Sequence, residues 1–206
     1  YPSPRKTEIS VDYGNIDDED LIDREDIVIT ITHGGYIKRL PVDEYKAQGR
    51  GGRGITGHRP KDEDYVEKMF VCCTHDPILL FSSKGKVYSI KGYEIPEANR
   101  TARGRAVVNI VQLDAGEKIY ATITLREFEE GKNLIFATKK GVVKKTDLML
   151  YNTARKGGLA AIVLDEDDEL INVEIDKADT TILFVTKNGI GLNKILIRSS
   201  TIYSND

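Results

Sequence analysis

The sequence predicts an all-β fold, a propeller-like array of four-stranded blades, and three observations carry the prediction. A strand, a glycine-bearing turn and a second strand recur four times, as ITITHGGYIKRL, LLFSSKGKVYSI, LIFATKKGVVKKT and ILFVTKNGIGL. The turn glycines Gly35, Gly85, Gly141 and Gly189 fall at near-even intervals, close to the period of propeller blades and longer than that of helical solenoids. No convincing long amphipathic helix is present, so an enzyme of the βαβ type, whose parallel strands need helical crossovers, is disfavoured. A β-sandwich would also supply short strands and glycine turns, but not this regular recurrence.

Bulk properties narrow the function. With 206 residues, 40% of them hydrophobic, the chain can bury a real core as one large domain or an array of smaller units. No apolar run approaches the roughly 20 residues of a membrane helix, and the opening YPSPRKTEISVDYGN lacks a signal-peptide core. A cytoplasmic protein without a membrane partner is expected. The net charge of −3 is unevenly spread, and binding depends on where charge sits. Residues 1–26 hold three basic against nine acidic side chains, which leaves residues 27–206 net positive by three. Residues 33–59 carry +4 and residues 162–180 carry −7, so basic and acidic stretches alternate.

In chain order, residues 1–26 read as an acidic linker, and residues 27–206 as the β-array, with units near 27–74, 75–130, 131–178 and a partial 179–206. Gly34-Gly35 and Asn188-Gly189 signal two-residue hairpin loops of type I′, which need positive φ; Lys84-Gly85 and Lys140-Gly141 signal them more weakly. Further β-patterned runs are AVVNIVQL at 106–113, KIYATITL at 118–125 and ELINVEI at 169–175. In KIYATITL, Ile119, Ala121, Ile123 and Leu125 share one face and Tyr120, Thr122 and Thr124 the other, as in a half-buried strand. Cys72 and Cys73, adjacent and so ill-placed for an ordinary disulfide, read as small apolar residues ending a strand. His75 is near them, but no second CxxC or HxxxH completes a zinc site, and no metal is expected.

The second half of each unit carries the candidate chemistry. At a matching distance after Gly35 and Gly85, and slightly sooner after Gly141, a glycine lies in a basic, non-apolar stretch: AQGRGGRGITG, ANRTARGRAV and YNTARKGGLAAI. With Lys38-Arg39 and Lys144-Lys145 just after the turns, these stretches would set positive charge along one edge of each blade. The candidate contacts are Lys38, Arg39, Arg50, Arg53 and Arg59, then Lys91, Arg100, Arg103 and Arg105, then Lys144, Lys145, Arg155 and Lys156. Arginine and lysine neutralise duplex phosphates and release counterions, and glycine lets backbone N–H groups come close enough to donate. None of this reads sequence. The chain has no Trp and 7% aromatics, so the stacking platforms of single-strand binders are not evident. Bending a site of about 20–30 base pairs by 40–90° costs on the order of 1–6 kcal/mol, which phosphate contacts distributed around a rim would offset.

Rival chemistries lack their context. Gly52-Arg53-Gly54-Ile55-Thr56-Gly57 matches the dinucleotide fingerprint formally, but polar DEYKAQ precedes it and Pro60 follows, and no P-loop Gly-Lys-Ser/Thr occurs. RNA-binding RGG tracts are long and of low complexity; this one is short and lies between strands. His33, His58 and His75 lack a nucleophile motif, and the acids cluster in solvated runs such as DEDDE at 165–169, so no catalytic residue is assigned.

Gln48-Gly49-Arg50-Gly51-Gly52-Arg53-Gly54 resembles the box that marks the C-terminal domain of DNA gyrase A subunits. RKTEIS, the acidic stretch and EDIVITITHGGYIKRLP resemble that family's passage from the cleavage core into its first blade, and the likeness extends to about residue 190. The resemblance implies a β-pinwheel of six blades that wraps duplex DNA in a right-handed sense and supports ATP-dependent negative supercoiling, with Gln48, Arg50 and Arg53 of the box acting in wrapping and Gly49, Gly51, Gly52 and Gly54 shaping its backbone. It implies a non-catalytic domain without a cofactor, since the breakage tyrosine, ATP and magnesium belong elsewhere in the holoenzyme. The implied partners are double-stranded DNA, the rest of the gyrase A chain, and gyrase B in an A2B2 assembly at the bacterial nucleoid. The second box position, usually basic, is Gly49; about four units are visible where six are implied; and LNKILIRSSTIYSND lacks the later Arg/Gly stretch. The alternatives are the A-type subunit of topoisomerase IV, whose related propeller lacks an intact box, and a protein-interaction propeller, whose Trp-Asp endings a Trp-free chain cannot supply.

Overall fold

The computed structural model describes residues 18–45, 64–153, 157–176, 183–185 and 191–193. In chain order the strands are β1 Asp26–Thr32, β2 Tyr36–Pro41, β3 Val66–Cys73, β4 Pro77–Ser82, β5 Lys86–Lys91, β6 Arg105–Ala106 and β7 Ile119–Thr124. There follow β8 Asn133–Thr138, β9 Val143–Asp147, β10 Leu159–Ala160, β11 Leu170–Ile175, β12 Leu183–Val185 and β13 Gly191–Asn193. Two four-stranded sheets have the orders β3-β1-β2-β6 and β10-β5-β4-β7, a third has β11-β8-β9, and β12 pairs with β13. All these ladders are antiparallel, and among the described residues the helical elements are single 3-10 turns.

The hairpins at Gly35, Gly85 and Gly141 form where the glycines predict them, but with a different turn, and the turn at Asn188-Gly189 lies outside the described residues. The Gly35 N–H donates to the Thr32 carbonyl at 2.9 Å, and Gly35 alone of its glycine pair has positive φ, at +77°. A type I′ loop needs two consecutive positive φ values, so that expectation is corrected: the connection is a three-residue loop whose last residue is left-handed. Gly85 and Gly141 repeat the arrangement with φ of +74° and +89°. The next N–H faces no ladder carbonyl and is met by a buried hydroxyl: Tyr36 to Thr32 Oγ1 at 3.2 Å, Lys86 to Ser82 Oγ at 3.2 Å, Val142 to Thr138 Oγ1 at 3.0 Å. A Thr or Ser three residues before each turn glycine was thus a repeat signal, present also as Thr186 ahead of Gly189.

Sequence unit and sheet are not the same object. β6 lies between β5 and β7 in the chain yet pairs with β2, Tyr36 opposite Ala106 and Ile37 opposite Arg105. β10, which follows the next hairpin, pairs with β5 in the same way, Leu159 opposite Val87 and Ala160 opposite Lys86. Each of these units therefore donates a two-residue strand to the sheet before it. The strand expected over 106–113 is corrected for this reason: after the donation the chain must turn back, and Val107–Asn109 is a 3-10 turn. β7 and β11 fall within the runs at 118–125 and 169–175, and in β7 Ala121 and Ile123 are buried while Tyr120 is exposed.

Packing joins the sheets in series. Ile78 and Leu80 of β4 pack with Ile27, Ile29 and Ile31 of β1, while Leu79 and Phe81 pack with Leu134 and Phe136 of β8. All of β4 is buried, which is why PILLFS reads as a continuous apolar run rather than an alternating one. Phe81 meets Phe136 edge-on at 5.6 Å between centroids. Burial contributes about 1.5–3 kcal/mol for each such side chain. Cys72, buried, and Cys73, half-buried, end β3 as free thiols; burial chiefly, with Asp76, Cys73 and Asp26 nearby, pushes the Cys72 thiol up to about 12.

Candidate nucleic-acid interface

The donated strand fixes the basic loop that precedes it. Gly104, directly before β6, has φ +89°, and a Cβ there would stand 2.6 Å from the Ile37 carbonyl oxygen. Only glycine lets the loop close on β2. Gly158, before β10, is equivalent: its Cβ would stand 2.7 Å from the Tyr88 ring.

Beneath the first loop lies Lys38, three residues after the turn glycine and 1% exposed. Its ammonium donates to the carbonyls of Asn99 at 3.2 Å, Arg100 at 2.8 Å and Ala102 at 2.9 Å, and burial lowers its pKa from the ordinary value. At the same position after the other turns, Lys144 donates to the Ala161 carbonyl at 2.8 Å, and Tyr88 packs against Gly158 while its hydroxyl donates to the Gln112 carbonyl and Glu117. Burial, reinforced by Glu117, raises the Tyr88 phenol well above its ordinary range.

Lys38 therefore contributes no surface charge, and the expectation that it belongs to a basic rim is corrected: strand alternation turns it inward, where orphan carbonyls need a donor. Arg39 is largely engaged as well, its Nε on the Ile95 carbonyl at 2.8 Å and its guanidinium between Glu25 at 3.5 Å and Glu97 at 3.6 Å. Lys145 pairs with Asp176, and Lys91 reaches Glu19 at 3.4 Å and the His75 carbonyl at 3.1 Å. The post-turn cations thus fasten neighbouring segments.

What the fold brings together is Arg100 and Arg103 on the loop before β6 and Arg105 at the start of β6. Arg100 donates to the Glu44 carbonyl. The Arg103 guanidinium lies 3.8 Å above the Tyr36 ring centroid, with its Nε 3.6 Å from Asp64. Arg105 is exposed and, among the described residues, makes no ion pair. Asp64, absent from the sequence candidates, is buried and accepts from the Thr32 hydroxyl at 2.9 Å and the Gly34 N–H at 2.6 Å. Asp168 repeats it in the third unit, accepting from the Lys140 and Glu169 amides at 2.9 Å each. Burial opposes ionisation of Asp168, but the Thr138 hydroxyl and these amides outweigh it and hold the pKa below its ordinary value. The readable signal was an acid two residues ahead of the third strand of the unit.

Gln48, Gly49, Arg50, Gly51, Gly52, Arg53, Gly54, Arg59, Arg155 and Lys156 lie outside the described residues. Among the described residues no group of three or more His, Cys, Asp or Glu could hold a metal ion, and no helix is long and apolar enough to cross a membrane.

Antiparallel sheets interlocked by donated strands, with a basic loop ahead of the donated strand, define the class as a β-propeller whose successive blades exchange strands. The family described as DNA gyrase C-terminal domain, beta-propeller, matches residues 26–73, 76–123 and 132–175. This chain belongs to that family. It is similar to the DNA gyrase A subunit of Clostridium acetobutylicum, with 48% identity over 200 residues, 96% of this chain and 24% of that protein. The chain spans about a quarter of the length of the curated relatives it matches. Among solved structures, a C-terminal domain of DNA topoisomerase IV superposes with TM-score 0.70 at 31% identity, over 84% of this chain and 52% of that one. A DNA gyrase A C-terminal domain superposes with TM-score 0.64 at 27% identity, over 85% and 57%. The all-β propeller expected from the sequence, and the family resemblance, both hold.

Proposed function

We propose that this chain binds, bends and wraps duplex DNA in a right-handed sense, without sequence preference, as the C-terminal domain of a DNA gyrase A subunit. Wrapping then supports ATP-dependent negative supercoiling by the A2B2 holoenzyme in the bacterial cytoplasm. In this reading the domain is non-catalytic and binds no cofactor; strand breakage and ATP turnover belong to the rest of gyrase A and to gyrase B.

One observation carries the reading. The loop bearing Arg100 and Arg103, followed by Arg105 in β6, is held against β2 by the close approach at Gly104 and by the buried Lys38 ammonium. Cations on a loop already ordered lose less entropy on meeting phosphate. The box stands in register with it: Arg50, Arg53 and Gly54 follow Gly35 at the same intervals at which Arg100, Arg103 and Gly104 follow Gly85. Substituting Arg50→Ala with Arg53→Ala in the assembled enzyme is expected to reduce wrapping and supercoiling while relaxation and cleavage stay largely intact. Unchanged topoisomer distributions on bound plasmid would refute it.

The topoisomerase IV reading draws on the higher TM-score of 0.70, but fold likeness does not separate the two enzymes. Relatives at 44–48% identity over 90–96% of this chain are DNA gyrase A subunits, which favours gyrase. An assembled enzyme that decatenates but introduces no negative supercoils would reverse the choice.

A further inference from the structure

We infer that a cleft between the first two sheets binds a small ligand with an apolar body and one protonated amine; the inference is independent of the wrapping proposed above. The cleft has a volume of about 500 Å³ and lies between the first hairpin turn, residues 32–36, and residues 117–120, which lead into β7. Its size suits a small molecule. It opens where the chain turns back after strand donation: Val107 and Val108 of the 3-10 turn line it, with Ile31, Leu113 and Ile119. Val108 and Tyr120 line it too and are 57% and 39% exposed, so apolar surface is left uncovered at the mouth.

Two carboxylates set the charge of the ligand. Glu67 is exposed at the rim, 3.4 Å from His33 Nδ1. Glu117 lies in the wall and is 6% exposed. It stands two residues ahead of β7, as Asp64 does ahead of β3 and Asp168 ahead of β11. Those two acids are spent on their own hairpins, at the Gly34 and Lys140 amides. Glu117, with its longer side chain, turns away. Its Oε2 accepts from the Asp114 amide at 2.7 Å and the Tyr88 hydroxyl at 3.2 Å, and its Oε1 has no hydrogen-bond partner among the described residues. A carboxylate buried in this way carries a negative charge that water screens little. The nearby cations are placed otherwise: Lys118 is exposed and screened by water, and the Lys68 ammonium is bonded to the Tyr120 carbonyl. An ammonium in the cleft offsets the charge of both acids and has the Tyr120 ring as a cation–π partner. The same acids disfavour phosphate, so the duplex itself is not the occupant.

The test titrates the 206-residue chain with phenethylamine as probe and the neutral, near-isosteric phenethyl alcohol as control, followed by methyl NMR shifts of Ile31, Val107, Leu113 and Ile119. The amine is expected to shift these methyls saturably and to bind roughly threefold tighter than the alcohol, the scale of one partly exposed ion pair. Glu67→Gln with Glu117→Gln is expected to remove that preference; should the buried substitution unfold the chain, Glu67→Gln alone is expected to narrow it. Val108→Trp, at an exposed position, is expected to block both compounds by filling the mouth. Shifts that do not saturate, an alcohol bound as tightly as the amine, a preference unchanged in the glutamine variants, or binding undiminished in Val108→Trp would overturn the site while leaving duplex wrapping untouched.

Discussion

Asp64 and Asp168 each stand two residues ahead of a third strand and hold a hairpin turn by its own amide. These bonds favour the ionised carboxylate, which is why the Asp168 pKa lies below its ordinary value of 3.8 despite burial. Its stabilising contribution is then fully present above pH 3.8 and is lost as pH falls through the depressed folded value. Asp168→Asn is expected to destabilise the chain by roughly 1–3 kcal/mol at neutral pH, since two amides lose a charged acceptor. The difference should narrow as pH falls through the depressed folded value of Asp168; a gap in denaturation midpoint that stays constant throughout acidification would contradict this. Lys38 shows why residue type misleads at this scale. Its charge reads as surface in the sequence, but the three carbonyls that hold it belong to residues about sixty positions away.

At the scale of the element, the donated two-residue strand is the device that joins one unit to the next. So short a strand has little ladder to hold it, and its place depends on the glycine before it. Gly104 and Gly116 both have positive φ, at +89° and +76°, but a Cβ on Gly116 meets nothing within 4 Å while one on Gly104 would collide with the Ile37 carbonyl. Gly116→Ala is expected to cost about 1 kcal/mol of backbone strain, and Gly104→Ala clearly more, with β6 displaced. Chemical denaturation ranks the two, and equal losses would mean that strand donation is not sensitive to this contact. The glycine was legible as a repeat position, because Gly104 follows Gly85 as Gly54 follows Gly35. Its contact with the preceding sheet was not, because antiparallel patterning looks the same whichever sheet receives the strand.

Across the whole molecule, binding to a wrapped duplex is a sum of many phosphate contacts, none of which reads a base. Arg105 is exposed and unpaired among the described residues, so Arg105→Ala should leave the melting temperature unchanged. It should weaken duplex binding equally for unrelated sequences and reduce the logarithmic salt slope by about 0.9, the value for one phosphate contact. A loss confined to one sequence, or a slope that does not move, would place Arg105 outside the wrapped path.

Much was settled by the sequence by itself: the class of fold, the hairpin positions, the family and the arginine-rich loops, since period-two patterning, turn glycines and repeat spacing are local properties of the chain. Which cations face solvent and which are consumed as fasteners was decided only by the tertiary structure. The same Lys-Arg pair serves either purpose, and the choice depends on the carbonyls and carboxylates that distant segments bring within hydrogen-bonding reach.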